Sequence, residues 1–217
     1  MRKSKQTSRR KRAFRWLALL ACMIAWMVVP GRFRFLPGQA IREAERLGKM
    51  GSTQLIAELP GYEGRTLRGN SKGLMISLLT ESIVERGWDL EYRVYLDCSV
   101  PQPFYVGISS YHFPGEEGSN WLDSLTDWFG RIDDPAAAAV RLEIYVDDEL
   151  TSTFTLGKED WIEKDGFTYF VLEFDEPRAQ FIRFQSLLLD GQGNVLASHE
   201  VEGDMWGMFS PSEEIHQ

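Results

Sequence analysis

Hydrophobic and polar residues alternate along most of this 217-residue chain after residue 52. In residues 90–96, Leu, Tyr, Val and Leu occupy every second position, and Glu91, Arg93 and Tyr95 lie between them. The same period of two runs through residues 140–146. Because successive side chains of a strand point to opposite faces of a sheet, each run predicts a β-strand with one buried face and one wet face.

Eight strands are predicted in this region, and turn residues separate them. They cover residues 73–79, 90–96, 104–111, 140–146, 150–156, 167–174, 180–189 and 194–201, with weaker candidates near Leu55 and Arg65. Asp148-Glu149 is predicted to turn a hairpin, and residues 190–193 (Asp-Gly-Gln-Gly) another. The strands do not alternate with helices, which indicates a mainly β fold: an antiparallel β-sandwich, immunoglobulin-like or jelly-roll-like, over residues 52–204.

The segment from Asn120 to Phe129 does not alternate, and it predicts a short helix inserted in the sandwich. Its apolar residues fall on one helical face, Asn120 is placed to cap it and Gly130 to end it. These apolar residues are Trp121, Leu122, Leu125, Trp128 and Phe129. We expect this face either to cover the core or to dock a partner.

An uncharged segment, residues 16–31, predicts a short transmembrane helix near the N-terminus. Eight basic residues precede it within residues 1–15, and Arg32 and Arg34 follow it. By the positive-inside rule, residues 1–15 form a cytoplasmic tail, residues 16–35 the anchor, and everything beyond lies outside the cytoplasm. Residues 36–51 are predicted as a juxtamembrane helix and residues 205–217 as a C-terminal tail.

Two other fates of the N-terminal segment are open. A cleaved secretory signal would use the small residues of 38–40 (Gly-Gln-Ala), which come late after the apolar run. A lipoprotein would attach its lipid at Cys22, within the sequence Leu19-Leu20-Ala21-Cys22. The mass of the membrane-extracted protein separates these three fates.

The charge of the chain is strongly segregated and limits its partners. From residue 31 onward there are 16 basic and 32 acidic residues, a formal net charge of -16. So acidic a body repels a nucleic-acid backbone, and we expect no nucleic-acid partner. Cys98 is the one thiol of this body, which excludes an intramolecular disulfide there.

No motif of catalysis, nucleotide binding or metal binding is present. The three histidines have no paired spacing, so no metal or other cofactor is predicted. His199 shares its predicted strand face with Val195, Ala197 and Val201, which indicates a half-buried core histidine. Ser109 and Ser110 lack the glycine pattern of a nucleophile elbow. We therefore expect a protein that is not an enzyme.

Aromatic residues give the remaining indication of function. Exposed Trp faces flanked by acids are typical of surfaces that bind sugars or proteins. The candidate binding residues are Trp121, Trp128, Phe129 and Trp161. We expect a single-pass bacterial envelope protein whose acidic domain binds another envelope protein. A glycan-binding module and a wall hydrolase with two catalytic acids are the alternatives.

Overall fold

The computed structural model describes residues 3–28, 34, 36–82, 87–113, 123–174, 181–204 and 209–211. Two helices and thirteen strands lie in these residues, together with a 3-10 turn at Lys158–Asp160. The helices are α1 (Lys3–Val28) and α2 (Pro37–Leu47). The strands are β1 (Gln54–Glu58), β2 (Arg65–Asn70), β3 (Gly73–Ser82), β4 (Gly87–Asp97), β5 (Phe104–Phe113), β6 (Asp123–Ile132), β7 (Ala139–Val146), β8 (Glu149–Gly157), β9 (Ile162–Lys164), β10 (Phe167–Phe174), β11 (Phe181–Leu189), β12 (Val195–Asp204) and β13 (Phe209–Pro211).

The strands form three antiparallel sheets, as expected for a mainly β chain consistent with a β-sandwich. Sheet A has the order β1-β2-β3-β4, sheet B the order β5-β6-β10-β9, and sheet C the order β13-β12-β11-β7-β8. The eight predicted strands and the two weaker candidates all appear among them. Sheet A and the β7-β8 and β11-β12 pairs join strands that follow one another along the chain, and the turns of the last two pairs were predicted from the sequence.

Three hydrophobic clusters show how the layers stack. The first lies between α2 and the outer face of sheet A and contains Ala44 and Met75. The second lies between sheets A and B and is built on Leu67, Ile76 and Phe129, among others. The largest lies between sheets B and C. The order of layers is therefore α2, sheet A, sheet B, sheet C.

Sheet B is the central layer, and its strands are buried on both faces. Along β6, Trp128 packs in the cluster shared with sheet C, whereas Phe129 packs in the cluster shared with sheet A. Both side chains are fully buried. The indole Nε1 of Trp128 donates a hydrogen bond to Ser186 Oγ of β11 at 2.9 Å, which joins sheets B and C.

The predicted inserted helix is wrong, because residues 123–132 form strand β6. A strand buried on both faces has large apolar residues next to one another, so its pattern does not show a period of two. Trp128 and Phe129 are such neighbours, and with Leu125 they reproduced helical spacing by coincidence. Asn120 and Trp121 lie outside the described residues.

Sheet C follows the sequence pattern closely because it has one wet face. Val140, Leu142 and Ile144 of β7 are buried against sheet B, while the residues between them are partly exposed. The hairpin turn to β8 falls at Asp147 and Asp148, one residue earlier than predicted. Both have positive φ, 50° and 65°, the conformation that a two-residue type I′ hairpin turn needs.

Helix α2 lies within residues 36–51, the segment predicted to be helical, and it is fixed to the body. Ala40 and Ala44 are buried against sheet A, and the Tyr95 hydroxyl donates to the Ala44 carbonyl at 2.7 Å. Before α2, Arg34 pairs with Glu43 at 2.6 Å, and its carbonyl accepts a hydrogen bond from the Trp88 amide of β4. The chain that leads from α1 is thus bound to the edge of sheet A.

Helix α1 is a separate element at the N-terminus. All its side chains from residue 12 to residue 25 are exposed, and they include Trp16, Leu17 and Leu19. Within the described residues, no helix has the length and apolar character needed to cross a membrane.

Replacing Gly130 of β6 with alanine tests the tight stacking of sheet B. A Cβ at Gly130 would fall on the Tyr105 carbonyl oxygen and within 2.5 Å of the Phe170 ring, whereas a Cβ at Gly191 would meet nothing within 4 Å. We expect Gly130→Ala to lower the free energy of unfolding by roughly 1–3 kcal/mol, the usual cost of overpacking a core. Gly191→Ala should change it by less than about 0.5 kcal/mol. Urea unfolding of the full chain measures both, and equal effects would contradict the layered packing.

Candidate functional site

A cleft opens at the end of sheet A where α2 begins, and we name it the Trp88 cleft. Its volume is about 780 Å³. Three stretches of the sequence meet there: the start of α2, the connection from the end of β1 to the start of β2, and the end of β3 with the start of β4. The lining residues are Pro37, Glu58, Leu59, Tyr62, Glu63, Gly64, Arg65, Thr66, Leu79, Thr80, Glu81 and Trp88.

The turn between β1 and β2 shapes one wall of the Trp88 cleft. Gly64 has a φ of 84°, and a Cβ there would collide with the Leu79 carbonyl oxygen of β3. The Leu79 amide donates to the Gly64 carbonyl at 3.1 Å, so the turn lies directly against β3. Glycine is therefore required both for the backbone conformation and for the close approach. Tyr62, two residues earlier, is 43% exposed at the cleft.

Arg65 lines the cleft and reaches through to sheet B. One guanidinium nitrogen donates to Glu173 Oε2 of β10 at 2.6 Å and to the Pro60 carbonyl at 2.7 Å. The other donates to Asp127 Oδ1 of β6. Both Arg65 and Asp127 are almost fully buried. Two carboxylates thus compensate the charge of Arg65, and this buried pair joins sheet A to sheet B.

Burial raises the pKa of Asp127 to about 6, although the Arg65 guanidinium beside it acts in the opposite direction. Desolvation disfavours the carboxylate form, and here it outweighs the attraction of the arginine. Across the sheet, Asp127 stands opposite Ser109 of β5, whose buried hydroxyl has no hydrogen-bond partner among the described residues. Near pH 6, Asp127 therefore changes its charge inside the core.

The mouth of the Trp88 cleft has an uncompensated negative charge. Glu58, Glu63 and Glu81 are all exposed there. Within the described part of the chain none of the three forms an ion pair or a hydrogen bond through its side chain. Trp88 and Leu79 form an apolar surface beside them, packed against the Met75 cluster. The cleft therefore offers aromatic and apolar contact next to three free carboxylates.

The structure does not bring the predicted binding residues together. Trp128 and Phe129 are fully buried on opposite faces of β6, so they form core contacts and no exposed docking face. Trp161 is partly buried at the rim of the cluster between sheets B and C, with the Lys158 ammonium 5.9 Å from its ring. Trp121 lies outside the described residues.

The acidic turns have local structural roles. Asp133 pairs with Arg131 at 2.8 Å, and that guanidinium lies between the rings of Tyr105 and Phe167, 4.5 Å and 4.7 Å from their centroids. Asp190 accepts hydrogen bonds from two backbone amides and from the Asn194 side chain, which closes its own turn. These carboxylates therefore act in ion pairing and turn formation.

His199 and Cys98 occupy the core positions that the sequence indicated. His199 is half-buried beside Ala197 and Val201, and burial lowers its pKa. Cys98 is buried between sheets A and B, and desolvation raises the pKa of its thiol to about 12. A thiol with so high a pKa is a poor nucleophile.

Sequence reasoning missed the Trp88 cleft because its walls come from separate segments. The available signals were Trp88 itself and the glycine-bounded turn around Tyr62, with Gly61 and Gly64 on either side of Tyr62-Glu63. A turn of this composition between two strands shows a tight connection but not what lies opposite it. Because Tyr62 and Trp88 are far apart along the chain, the sequence does not show that they line the same cleft.

Only the residues of the cleft itself indicate its ligand. No family model, no curated protein and no solved structure matches this chain. Among the described residues, no group of three or more His, Cys, Asp or Glu side chains is arranged to hold a metal ion. The distinguishing features of the cleft are its aromatic rings and its net negative charge.

The raised pKa of Asp127 predicts a pH dependence of stability that Asp127→Asn removes. A carboxyl group whose pKa rises from its ordinary 3.8 to about 6 on folding binds protons more tightly in the folded state. The free energy of unfolding of the wild type should therefore increase relative to that of Asp127→Asn as the pH falls from 7 to 5. Urea unfolding across this range measures the difference. A wild-type advantage that shrinks on acidification would show that Arg65 dominates the pKa instead.

Proposed function

We propose that this chain is a membrane-anchored binding protein of a bacterial envelope. Its β domain lies outside the cytoplasm and holds a basic segment of another envelope protein in the Trp88 cleft. The observation that supports this most is the pairing of aromatic walls with three unpaired glutamates in a cleft of about 780 Å³. In this proposal the protein binds its partner without catalysing a reaction.

The membrane anchor is supported by the apolar side chains of α1, which have no protein cover. Phe14 is 74% exposed, Trp16 72% and Leu17 65%. A cluster of large exposed hydrophobic side chains is costly in water and favourable in lipid. The basic residues before this segment place the N-terminus in the cytoplasm in our proposal, and the acidic body then lies outside. The immunoglobulin-like or jelly-roll-like form of the sandwich stays a prediction.

The Trp88 cleft is close to the proposed anchor. Pro37, which starts α2, lines the cleft, and the amide of Trp88 donates to the carbonyl of Arg34 at 2.9 Å. Only eight residues, 29–36, separate Val28 at the end of α1 from Pro37. We infer that a ligand in the cleft is held near the membrane surface, where the juxtamembrane segment of another anchored protein is within reach.

Charge complementarity selects a basic partner. Of the described residues that line the cleft, Arg65 alone is a cation, and it is already paired with Asp127 and Glu173. Lys or Arg side chains of a partner could pair with Glu58, Glu63 and Glu81 while apolar groups contact Trp88. Such side chains also attract the acidic body over a distance and favour a fast, salt-dependent encounter.

A glycan is the second candidate ligand, and the exposed Tyr62 ring favours it. Aromatic ring faces stack on the apolar faces of sugars, and the neighbouring glutamates could accept hydrogen bonds from hydroxyl groups. A hydrolase acting on wall polymers would need two of these acids in defined roles, one of them protonated at neutral pH. Both alternatives can be tested in the binding experiment below.

Protease accessibility tests the proposed orientation. In cells that produce the full chain, protease added from outside the cytoplasmic membrane should remove the β domain and leave the N-terminal basic segment protected. Lysed cells should lose both. We expect this because a basic N-terminus is retained in the cytoplasm. A β domain that is degraded only after lysis would contradict the orientation.

Neutralising the cleft glutamates should weaken binding of a basic ligand. We expect pentalysine to bind the detergent-solubilised full chain, and the triple variant Glu58→Gln, Glu63→Gln, Glu81→Gln to bind it at least about tenfold more weakly, since three charge pairs of a few tenths to about 1 kcal/mol each are lost. Isothermal titration measures the affinity, and added salt should weaken it.

A matched control removes the same charge elsewhere. Glu149→Gln, Glu159→Gln and Glu163→Gln change three exposed acids that do not line the Trp88 cleft. This variant should bind pentalysine as the wild type does. Equal loss in both variants, or no binding at all, would overturn the basic-partner proposal. Binding of chitotetraose instead would favour the glycan candidate, and its cleavage would favour the hydrolase.

A further inference from the structure

Strand β8 is a long and accessible edge of sheet C. It has nine residues, from Glu149 to Gly157, and pairs with β7 on one side. No strand in the described part of the chain pairs with its other side. Thr151, Thr153 and Thr155 are exposed along it. Such an edge presents unpaired backbone donors and acceptors that another strand can satisfy.

The other sheet edges are short, partly covered or charged. Strands β9 and β13 have three residues each, and beside β13 only residues 195–200 of β12, a stretch that ends in Glu200, have no further strand partner among the described residues. The Lys164 ammonium donates to the Leu55 carbonyl of β1. Strand β4 pairs with Arg34 at Gly87 and contains the charged residues Asp89, Glu91, Arg93 and Asp97. The described side chains of β5 are mostly buried between the outer sheets.

Strand β8 lacks the residues that usually protect an edge. It contains no Pro, Lys or Arg, and its one charged residue is Glu149 at its beginning. Its register with β7 is irregular only near the turn, between Ile144 and Tyr145. Natural sheets discourage edge pairing with prolines, inward charges and bulges, and from Ser152 onward β8 has none of these.

The sequence of β8 is nearly symmetrical about Thr153. If two copies pair antiparallel around this residue, Thr153 faces itself, Ser152 faces Phe154, and Thr151 faces Thr155. Cross-strand Thr–Thr pairs are favourable, and no like charges meet. The strand is therefore complementary to a second copy of itself.

In such a pair, the outer faces of the two β8 strands lie side by side, and so do their inner faces. Thr153 and Thr155 share the outer face with Glu143 and Arg141, their partners in β7. Phe154 lies on the inner face, half-buried against the cluster between sheets B and C. A second strand beside it would extend this core and cover more of the Phe154 ring, which gains hydrophobic stabilisation.

We propose that two copies of this chain associate through β8, antiparallel and centred on Thr153, so that the two C sheets form one continuous sheet. This interface is on sheet C and does not involve the Trp88 cleft, so it goes beyond the proposed binding function and does not depend on it. A pairing of about five residues is weak by itself, and attachment of both copies to one membrane would strengthen it by raising their effective concentration.

Disulfide trapping at Thr153 tests the pairing and its register. The background is Cys22→Ser, since Cys98 is buried with a pKa of about 12 and does not compete for oxidation. In this background Thr153→Cys places two thiols opposite each other across the two-fold axis. Because facing Cβ atoms of paired strands lie about 4.5–5.5 Å apart, mild oxidation of the full chain should give a covalent dimer at least about tenfold faster than a collisional control. The dimer is measured by non-reducing electrophoresis.

The control and the register variants make the result specific. Gln192→Cys places an exposed thiol in the turn between β11 and β12, away from any strand edge, and reports random collision. Thr151→Cys and Thr155→Cys should cross-link to each other in a mixture faster than either does alone. A Thr153→Cys rate no higher than that of Gln192→Cys would overturn the proposal. Fast self-linking of Thr151→Cys alone would refute the register centred on Thr153.

Discussion

The structure depends on a central sheet that has no wet face. Sheet B lies between sheets A and C, so the charged side chains on its buried strands need partners inside the protein. Asp127 pairs with Arg65 of sheet A, and Arg131 pairs with Asp133 and lies against two aromatic rings. Arg131 also donates to the Ser71 carbonyl in the turn between β2 and β3, so both arginines link sheet A to sheet B.

This constraint also determines the character of the Trp88 cleft. Arg65 extends from the cleft into the interface between sheets A and B, where Asp127 and Glu173 compensate its charge. Among the described residues that line the cleft, no other cation balances the exposed glutamates at the mouth. Because Arg65 is paired with carboxylates of the central sheet, the surface near the start of α2 stays acidic. Our functional proposal rests on this acidity.

Alternation identified most clearly the strands that have one wet face. Strand β7 shows this, since Val140, Leu142 and Ile144 are buried and alternate with partly exposed residues. In the central sheet the sequence predicted β5 and β10, but β6 was taken for a helix because Trp128 and Phe129 are both buried, on opposite faces. The cleft was missed for a different reason: Tyr62 and Trp88 line the same cleft only through the packing of β2, β3 and β4.

Native-state hydrogen exchange of the full chain tests the central position of sheet B most directly. Amides in β6 and β10 lie between two packed sheets, so they should exchange only when the whole body unfolds. Amides of the edge strands β1 and β8 should exchange faster through local opening. This order, with β6 slowest, is the result that the layered architecture predicts. Exchange of β6 amides as fast as those of β8 would contradict it.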